Sequence, residues 1–157
     1  MEIQIGIEKH HREEIAEGLV KALADSYALY IKTHNFHWNV EGPLFSELHK
    51  LFETQYLELA EAVDEIAERI RALGAYVPAS FTQFNQITTI EEEVNHISAT
   101  EMIKQLVLGQ EEVVKTARLL IPIAEEYHDQ PTADMLIDRM TVHEKNAWML
   151  RSLLQEG

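Results

Sequence analysis

The sequence predicts one all-α domain over residues 1–157, a four-helix bundle with a short helix in the long crossover between helices 2 and 3. Apolar residues recur every three or four positions along several long stretches, which is typical of helices that bury one face. Glycine and proline separate these stretches. A chain of 157 residues forms one ordinary domain, and no internal repeat indicates a second.

Two long helices are predicted in the first half of the chain. The first covers about residues 12–39, where apolar positions fall on one helical face. Pro43 ends this element, because proline disfavours α geometry in the residue before it. The second covers about 44–73 and stops at Gly74, since glycine tolerates the left-handed conformation that closes many helices.

The second half is predicted to contain a crossover and two further helices. Residues 75–97 are too many for a tight hairpin and too polar for a long helix, so they carry one short helix. The third helix, about 98–126, begins at a capping box of a serine and the glutamate three residues later, and Pro122 should kink or interrupt it. Asp129 caps the fourth helix, about 130–154.

Histidines and acidic residues concentrate around the second helix. His37 precedes the turn, His49 and Glu53 are one helical turn apart, and Asp64 and Glu68 are also one turn apart. Imidazole and carboxylate are ligands that Fe²⁺ and Zn²⁺ accept. A single histidine is more often packed or solvated, and an isolated acidic pair is usually a solvated face. The whole set together indicates a metal site.

The two halves of this set cannot share a metal within one chain. His49 and Asp64 are 15 residues apart, so an α-helix separates them by about 22 Å along its axis. A second copy of the helix, lying antiparallel, would bring His49 of one chain against Asp64 and Glu68 of the other. Two-fold symmetry forms that pairing twice, so the sequence predicts an intersubunit site.

The stretch from His34 to Gly74 resembles the Dps family, the miniferritins of the ferritin-like superfamily. The resemblance is carried by a histidine followed by tryptophan, a second histidine 12 residues later, and the acidic pair within Val63-Asp64-Glu65-Ile66-Ala67-Glu68. This pattern is similar to the ferroxidase signature of that family. The similarity covers essentially the whole chain, from about Gly6 to Leu154, and is densest from His34 to Gly74.

The resemblance implies a ferroxidase in a hollow shell of twelve identical subunits. His37 and His49 would come from one subunit and Asp64 and Glu68 from its partner. These residues would oxidise Fe²⁺, preferably with hydrogen peroxide, and the ferric product would be stored as mineral. Zinc is an alternative occupant of the site. Glu53 stands where family members commonly carry aspartate, and its longer side chain is expected at a second, weaker iron position.

Other side chains are assigned secondary roles. Trp38 is a candidate electron relay beside the metal site, with a place in the core as an equal alternative. In the family, the region of Asp129, Asp134 and Asp138 lines acidic pores that admit iron, whereas helix-dipole complementarity would explain the same residues locally. His34 is expected to make structural hydrogen bonds. The remaining histidines, His143 among them, have no recognisable partners in the sequence.

Composition limits the partners. A formal net charge of −14 disfavours direct DNA binding, unless divalent cations bridge the two, because binding a polyanion relies on lysine and arginine. The family members that condense DNA often use lysine-rich tails, and the first eight residues contain no basic side chain. The absence of cysteine excludes disulfides, zinc–thiolate sites and iron–sulfur clusters.

Neither a signal peptide nor an apolar run long enough to span a membrane is recognisable, so a soluble cytoplasmic protein is expected. Two other functions remain open. The assembly could be a DNA-protective coat, or a surface or adhesion assembly whose metal site is only structural. The ligand set leaves room for an oxidant and favours the ferroxidase.

Overall fold

The computed structural model of the chain describes residues 1–155, and this part is entirely helical apart from its connections. Its helices are α1 Lys9–Asn39, α2 Phe45–Ala72, α3 Phe81–Ile87, α4 Ala99–Glu126 and α5 Gln130–Ser152. Helix α1 packs against α2 and α4, α5 packs against α4, and the short α3 lies on α1. The predicted four-helix bundle with a short helix in the crossover is confirmed.

The helix ends form as their local sequences predict. The Ser98 hydroxyl accepts a hydrogen bond from the Glu101 amide at the start of α4, and the Asp129 carboxylate accepts one from the Thr132 amide at the start of α5. Gly74 has φ +100°, and the amides after α2 bond back into its last turn as in a Schellman motif. These bonds satisfy groups that the helix leaves free.

Helix α4 continues unbroken through Pro122, so the alternative of a local end at this residue is wrong. Pro122 lies on the exposed side of the helix. Water can therefore reach the carbonyl that the missing N–H leaves free, which lowers the cost of proline inside the helix.

The core consists of two apolar clusters. One lies toward the α1–α2 turn and contains Phe36 and Phe52. The other lies toward the opposite end and contains Leu19 and Ile70. Buried polar residues interrupt the apolar sequence at two places. The Thr116 hydroxyl of α4 donates to Asp25 of α1 at 2.6 Å. Gln110 of α4 meets Arg139 and His143 of α5 at the second place, and we call these three residues the polar layer.

Candidate metal centre

His37 and His49 form a reciprocal contact at the α1–α2 turn, which we call the histidine pair. Nδ1 of His37 lies 2.7 Å from the carbonyl oxygen of His49, and Nδ1 of His49 lies 2.8 Å from the carbonyl oxygen of His37. Their rings stack with centroids 3.9 Å apart. Since a carbonyl oxygen only accepts, each Nδ1 carries the proton and each Nε2 keeps its lone pair free for a metal.

Unsatisfied backbone at a helix end explains why this contact forms. The His37 carbonyl lies in the last turn of α1, where no intrahelical donor is available. The His49 imidazole supplies that donor from the first turns of α2. Gly42, with φ +112°, helps to reverse the chain between them. His37 is buried and His49 half-buried, so the pair is fixed and water still reaches it.

Aromatic side chains surround the pair. His34 packs between Trp38 and Tyr56, with ring centroids 3.8 and 4.3 Å away. Burial lowers the pKa of His34, and the neighbouring His37 lowers it further. The Tyr56 ring meets the His37 ring edge-on at 5.1 Å. Trp38 is 65% exposed, so of its two predicted roles the place in the core is wrong for a single subunit, and the electron relay stays a prediction.

The predicted carboxylates lie elsewhere on α2. Glu53, Asp64 and Glu68 are all exposed. Within residues 1–155 of one chain, no three or more metal-capable side chains come together. The structure therefore brings together His37 and His49, and it does not bring Asp64 and Glu68 to them. A site that combined both histidines with Asp64 and Glu68 would require a second chain.

The prediction that Asp129 lines a pore needs correction. Its carboxylate is fully buried and accepts hydrogen bonds from Arg69 at 2.7 Å and from the Thr132 hydroxyl at 2.5 Å. These bonds hold the start of α5 against α2. Asp134 and Asp138 remain exposed on α5, so they stay candidates for a pore.

Sequence reasoning missed a buried network in the polar layer. His143 bonds to Gln110 of α4 and to Arg139 of its own helix, and Arg139 bonds to Glu58 of α2. The expectation that His143 has no partner is therefore wrong. The signal available was the spacing of Arg139 and His143, one turn apart on a helix whose inward face also carries Leu136 and Leu150.

The chain matches the family model described as ferritin-like domain over residues 16–157. It is 38% identical over 144 residues to DNA protection during starvation protein 2 of Bacillus anthracis, covering 92% of this chain and 99% of that relative. The chain belongs to the Dps family of ferritin-like proteins. It is also 41% identical over 155 residues to an uncharacterized low temperature-induced protein of Nostoc, covering 98% of this chain and 87% of the relative.

Solved structures agree with this membership. The fold is similar to a Dps protein of Vibrio cholerae, with a TM-score of 0.93, 31% identity, and coverage of 98% and 96% of the two chains. That protein is described as a member of a broad superfamily of ferritin-like diiron-carboxylate proteins. A Dps protein from Bacillus brevis gives a TM-score of 0.90 at 34% identity, covering 95% of this chain and all of that one. None of the helices within residues 1–155 could cross a membrane.

Proposed function

We propose that this Dps-family chain is a ferroxidase that oxidises Fe²⁺, preferably with hydrogen peroxide, and stores Fe³⁺ mineral in a hollow dodecamer in the cytoplasm. This activity would protect the cell against oxidative damage. The observation that carries the proposal is the histidine pair, because two imidazoles held in the metal-binding tautomer each keep an unprotonated Nε2 that has no hydrogen-bond partner among residues 1–155. Membership of a family related to diiron-carboxylate proteins supports iron as the substrate.

In this proposal each two-fold interface forms two equivalent sites. His37 and His49 come from one subunit, and Asp64 and Glu68 come from its partner. Glu53, one turn after His49, contributes to a second and weaker iron position. The separation along α2 supports this division, because an antiparallel copy of one continuous helix would supply the carboxylates that the histidine pair lacks in a single chain.

The ligand set favours oxidation of the bound ion. Carboxylates are hard and negative, so they stabilise Fe³⁺ more than Fe²⁺. Hydrogen peroxide takes one electron from each of a pair of Fe²⁺ ions and, with two protons, becomes two waters. Hydroxyl radical is therefore largely avoided. Zn²⁺ fits the same donors and has no redox chemistry, so it should compete with iron and inhibit.

Two accessory roles belong to the same proposal. Trp38 packs against His34, whose ring centroid lies 6.3 Å from that of His37, and from there it would supply an electron to a stray one-electron oxidant. Replacing it in Trp38→Phe should raise the yield of escaping radicals, measured by spin trapping. An unchanged yield would contradict the role. Asp134 and Asp138 are assigned to a pore that attracts Fe²⁺.

Complementation between two inactive variants tests the shared site. We would co-express His37→Gly/His49→Gly chains with Asp64→Asn/Glu68→Gln chains and measure ferric absorbance after a peroxide pulse to anaerobically loaded protein. Random pairing makes half of the dimers mixed, and each mixed dimer has one intact site, so about a quarter of wild-type activity should return. Each variant expressed alone should be inactive.

Two results would count against the proposal. Activity that stays absent in the co-expressed protein would contradict a site shared between subunits. Full activity in either variant alone would remove those residues from the site.

A DNA-protective coat is the second candidate function, because similar proteins are named for DNA protection during starvation. The net charge of −14 requires a bridging cation. A gel shift that appears only with Mg²⁺ would support the coat. If the protein leaves the mobility of DNA unchanged both with and without Mg²⁺, the coat is contradicted.

A further inference from the structure

A half-enclosed cavity of about 200 Å³ lies between α1, the short α3 and the crossover that follows α3. Its walls are largely apolar, and Tyr27 of α1 and Phe84 of α3 form part of them with their rings stacked 4.8 Å apart. Phe81 also lines the cavity and is 77% exposed, so the cavity is open to solvent on that side. A space of this size suits a molecule smaller than a typical drug, for which cavities of about 300–1,000 Å³ are usual.

Hydrogen bonds hold the crossover in the position that forms this cavity. The buried Asp25 carboxylate accepts bonds from the Thr88 hydroxyl and the Thr89 amide, each at 2.8 Å. Farther along the crossover, the carbonyl oxygen of Glu93 accepts a bond from the side-chain amide of Asn35 at 3.3 Å. The crossover is therefore tied to α1 at two points, and the cavity between them is a fixed feature of the fold.

Lys32 of α1 lines the same cavity and has no bonding partner there. It is only 9% exposed, and its side chain makes no ion pair or hydrogen bond within residues 1–155. The other six lysines of the chain are all exposed. A buried ammonium ion without a counter-ion in contact is unfavourable, since burial removes the water that stabilises its charge. The neutral amine is therefore easier to form at Lys32 than at an exposed lysine.

Burial and nearby charges act on Lys32 in opposite directions. Burial lowers the pKa of Lys32 and is the larger effect, whereas the carboxylates of Glu93 and Glu91 raise it. The resulting pKa lies below the ordinary value of 10.5, so more of the neutral, nucleophilic amine is present at neutral pH. Lys115 shows the opposite case, because its ammonium donates to Glu112 at 2.7 Å and this bond raises its pKa.

We propose that Lys32 is the reactive group of a binding site for small apolar aldehydes. The neutral amine attacks the carbonyl carbon, the carbonyl oxygen leaves as water with the two amine hydrogens, and a C=N bond joins the ligand to Lys32. A proton from solvent converts this imine into an iminium ion, which carries the same single positive charge as the ammonium. Glu91 and Glu93 stabilise that charge, and the aromatic walls contact the apolar part of the ligand. The inference does not depend on iron oxidation.

Reductive trapping of the imine tests the site in the intact protein. Metal-free protein at neutral pH is treated with benzaldehyde and cyanoborohydride, which reduces the iminium ion to a stable benzylamine, and peptide mass spectrometry measures the benzyl group on each lysine. Lys32 should carry at least about ten times as much as Lys115, the ratio of free amine that one pKa unit produces. Equal labelling of the two, or less at Lys32, would overturn the proposal. Both lysines belong to one chain, so this comparison needs no variant.

A substitution in the cavity wall tests whether the cavity directs the reaction. Phe81→Ala removes a largely exposed ring, so the fold should be retained, while labelling of Lys32 should fall about twofold to tenfold through the loss of one aromatic contact. Leu119→Ala is the matched control, because Leu119 is 75% exposed and lies outside the cavity. It should leave the labelling of Lys32 unchanged, and Lys115 should be labelled equally in both variants. Equal labelling of Lys32 in Phe81→Ala and Leu119→Ala would overturn the proposal.

Discussion

The histidine pair and the polar layer use the same imidazole state for opposite purposes. In both places a histidine donates from Nδ1 to an oxygen, which leaves Nε2 unprotonated. At the pair, which is partly open to water, no side chain or backbone group within residues 1–155 bonds to that nitrogen. In the polar layer Arg139 bonds to it within the buried core. The type of residue and its tautomer therefore do not decide whether the second nitrogen is available to a metal; the group that faces this nitrogen does.

The largest expected effect that tests this contrast is on stability. His143→Ala leaves Gln110 and Arg139 with unpaired buried groups and should lower the free energy of unfolding by about 3–5 kcal/mol. His49→Ala should cost only about 1 kcal/mol, since His49 is half-buried and water can replace its bond. Urea unfolding of metal-free proteins at equal concentration measures both. Equal losses would remove the distinction between the two regions.

The reverse order is expected for iron oxidation. His49→Gln removes an imidazole ligand and should slow peroxide-driven Fe²⁺ oxidation by about a hundredfold, the upper range for disturbing a metal site. His143→Gln should leave the rate little changed, because His143 is not at the proposed centre. Stopped-flow ferric absorbance provides the comparison. A large decrease in His143→Gln that persists when the protein is fully folded would show that the regions are coupled.

Lowering the pH should reduce the folding stability gradually through His143 of the polar layer. Burial, reinforced by the adjacent Arg139 charge, lowers the pKa of His143 to about 3 from an ordinary value of 6.5. The unfolded chain therefore binds a proton that the folded chain rejects, and stability is lost as the pH falls from about 6.5 toward 3, by up to about 1.4 kcal/mol per pH unit. The slope difference between wild type and His143→Gln isolates this group. Parallel slopes would mean that His143 titrates normally.

The smallest expected effect extends the contrast to carboxylates. Asp134→Asn/Asp138→Asn should slow iron uptake modestly and leave oxidation by preloaded protein unchanged, because both side chains are exposed. Asp129→Asn should leave uptake unchanged and cost about 2 kcal/mol of stability through its weakened bond to Arg69. The rate of iron uptake at low Fe²⁺ concentration tests the effect on entry. The midpoint of urea unfolding tests the effect on stability, and both are measured for both variants. Slower uptake in Asp129→Asn alone would reverse the assignment.

Local signals made the fold predictable. The apolar period marks each long helix, and Ser98, Asp129 and Gly74 mark ends that form as their chemistry requires. The contact between His37 and His49 was also accessible, because a short turn brings the end of one helix beside the start of the next. In each case the interacting residues are close in sequence, so few arrangements compete.

Long-range contacts were not predictable from the same signals. The local sequence predicts that Asp129 is an exposed helix cap. In the structure, Arg69, 60 residues earlier in the chain, donates a hydrogen bond to it. His143 has no partner in its own sequence neighbourhood except Arg139, while Gln110 and Glu58 come from other helices. Which polar groups meet depends on the register in which helices pack, and the apolar period sets the inward face without setting that register.

The sequence by itself determined the all-α bundle, the helix ends and the candidate metal ligands around α2, because periodicity and spacing act within one or two turns of chain. Only the tertiary structure decided which histidine Nε2 atoms have no hydrogen-bond partner among residues 1–155. It left the outer nitrogens of His37 and His49 open, enclosed His143 behind Arg139, and buried Asp129 against Arg69. The physical reason is that hydrogen-bond partners from distant segments, and the burial that makes them obligatory, exist only after the helices pack.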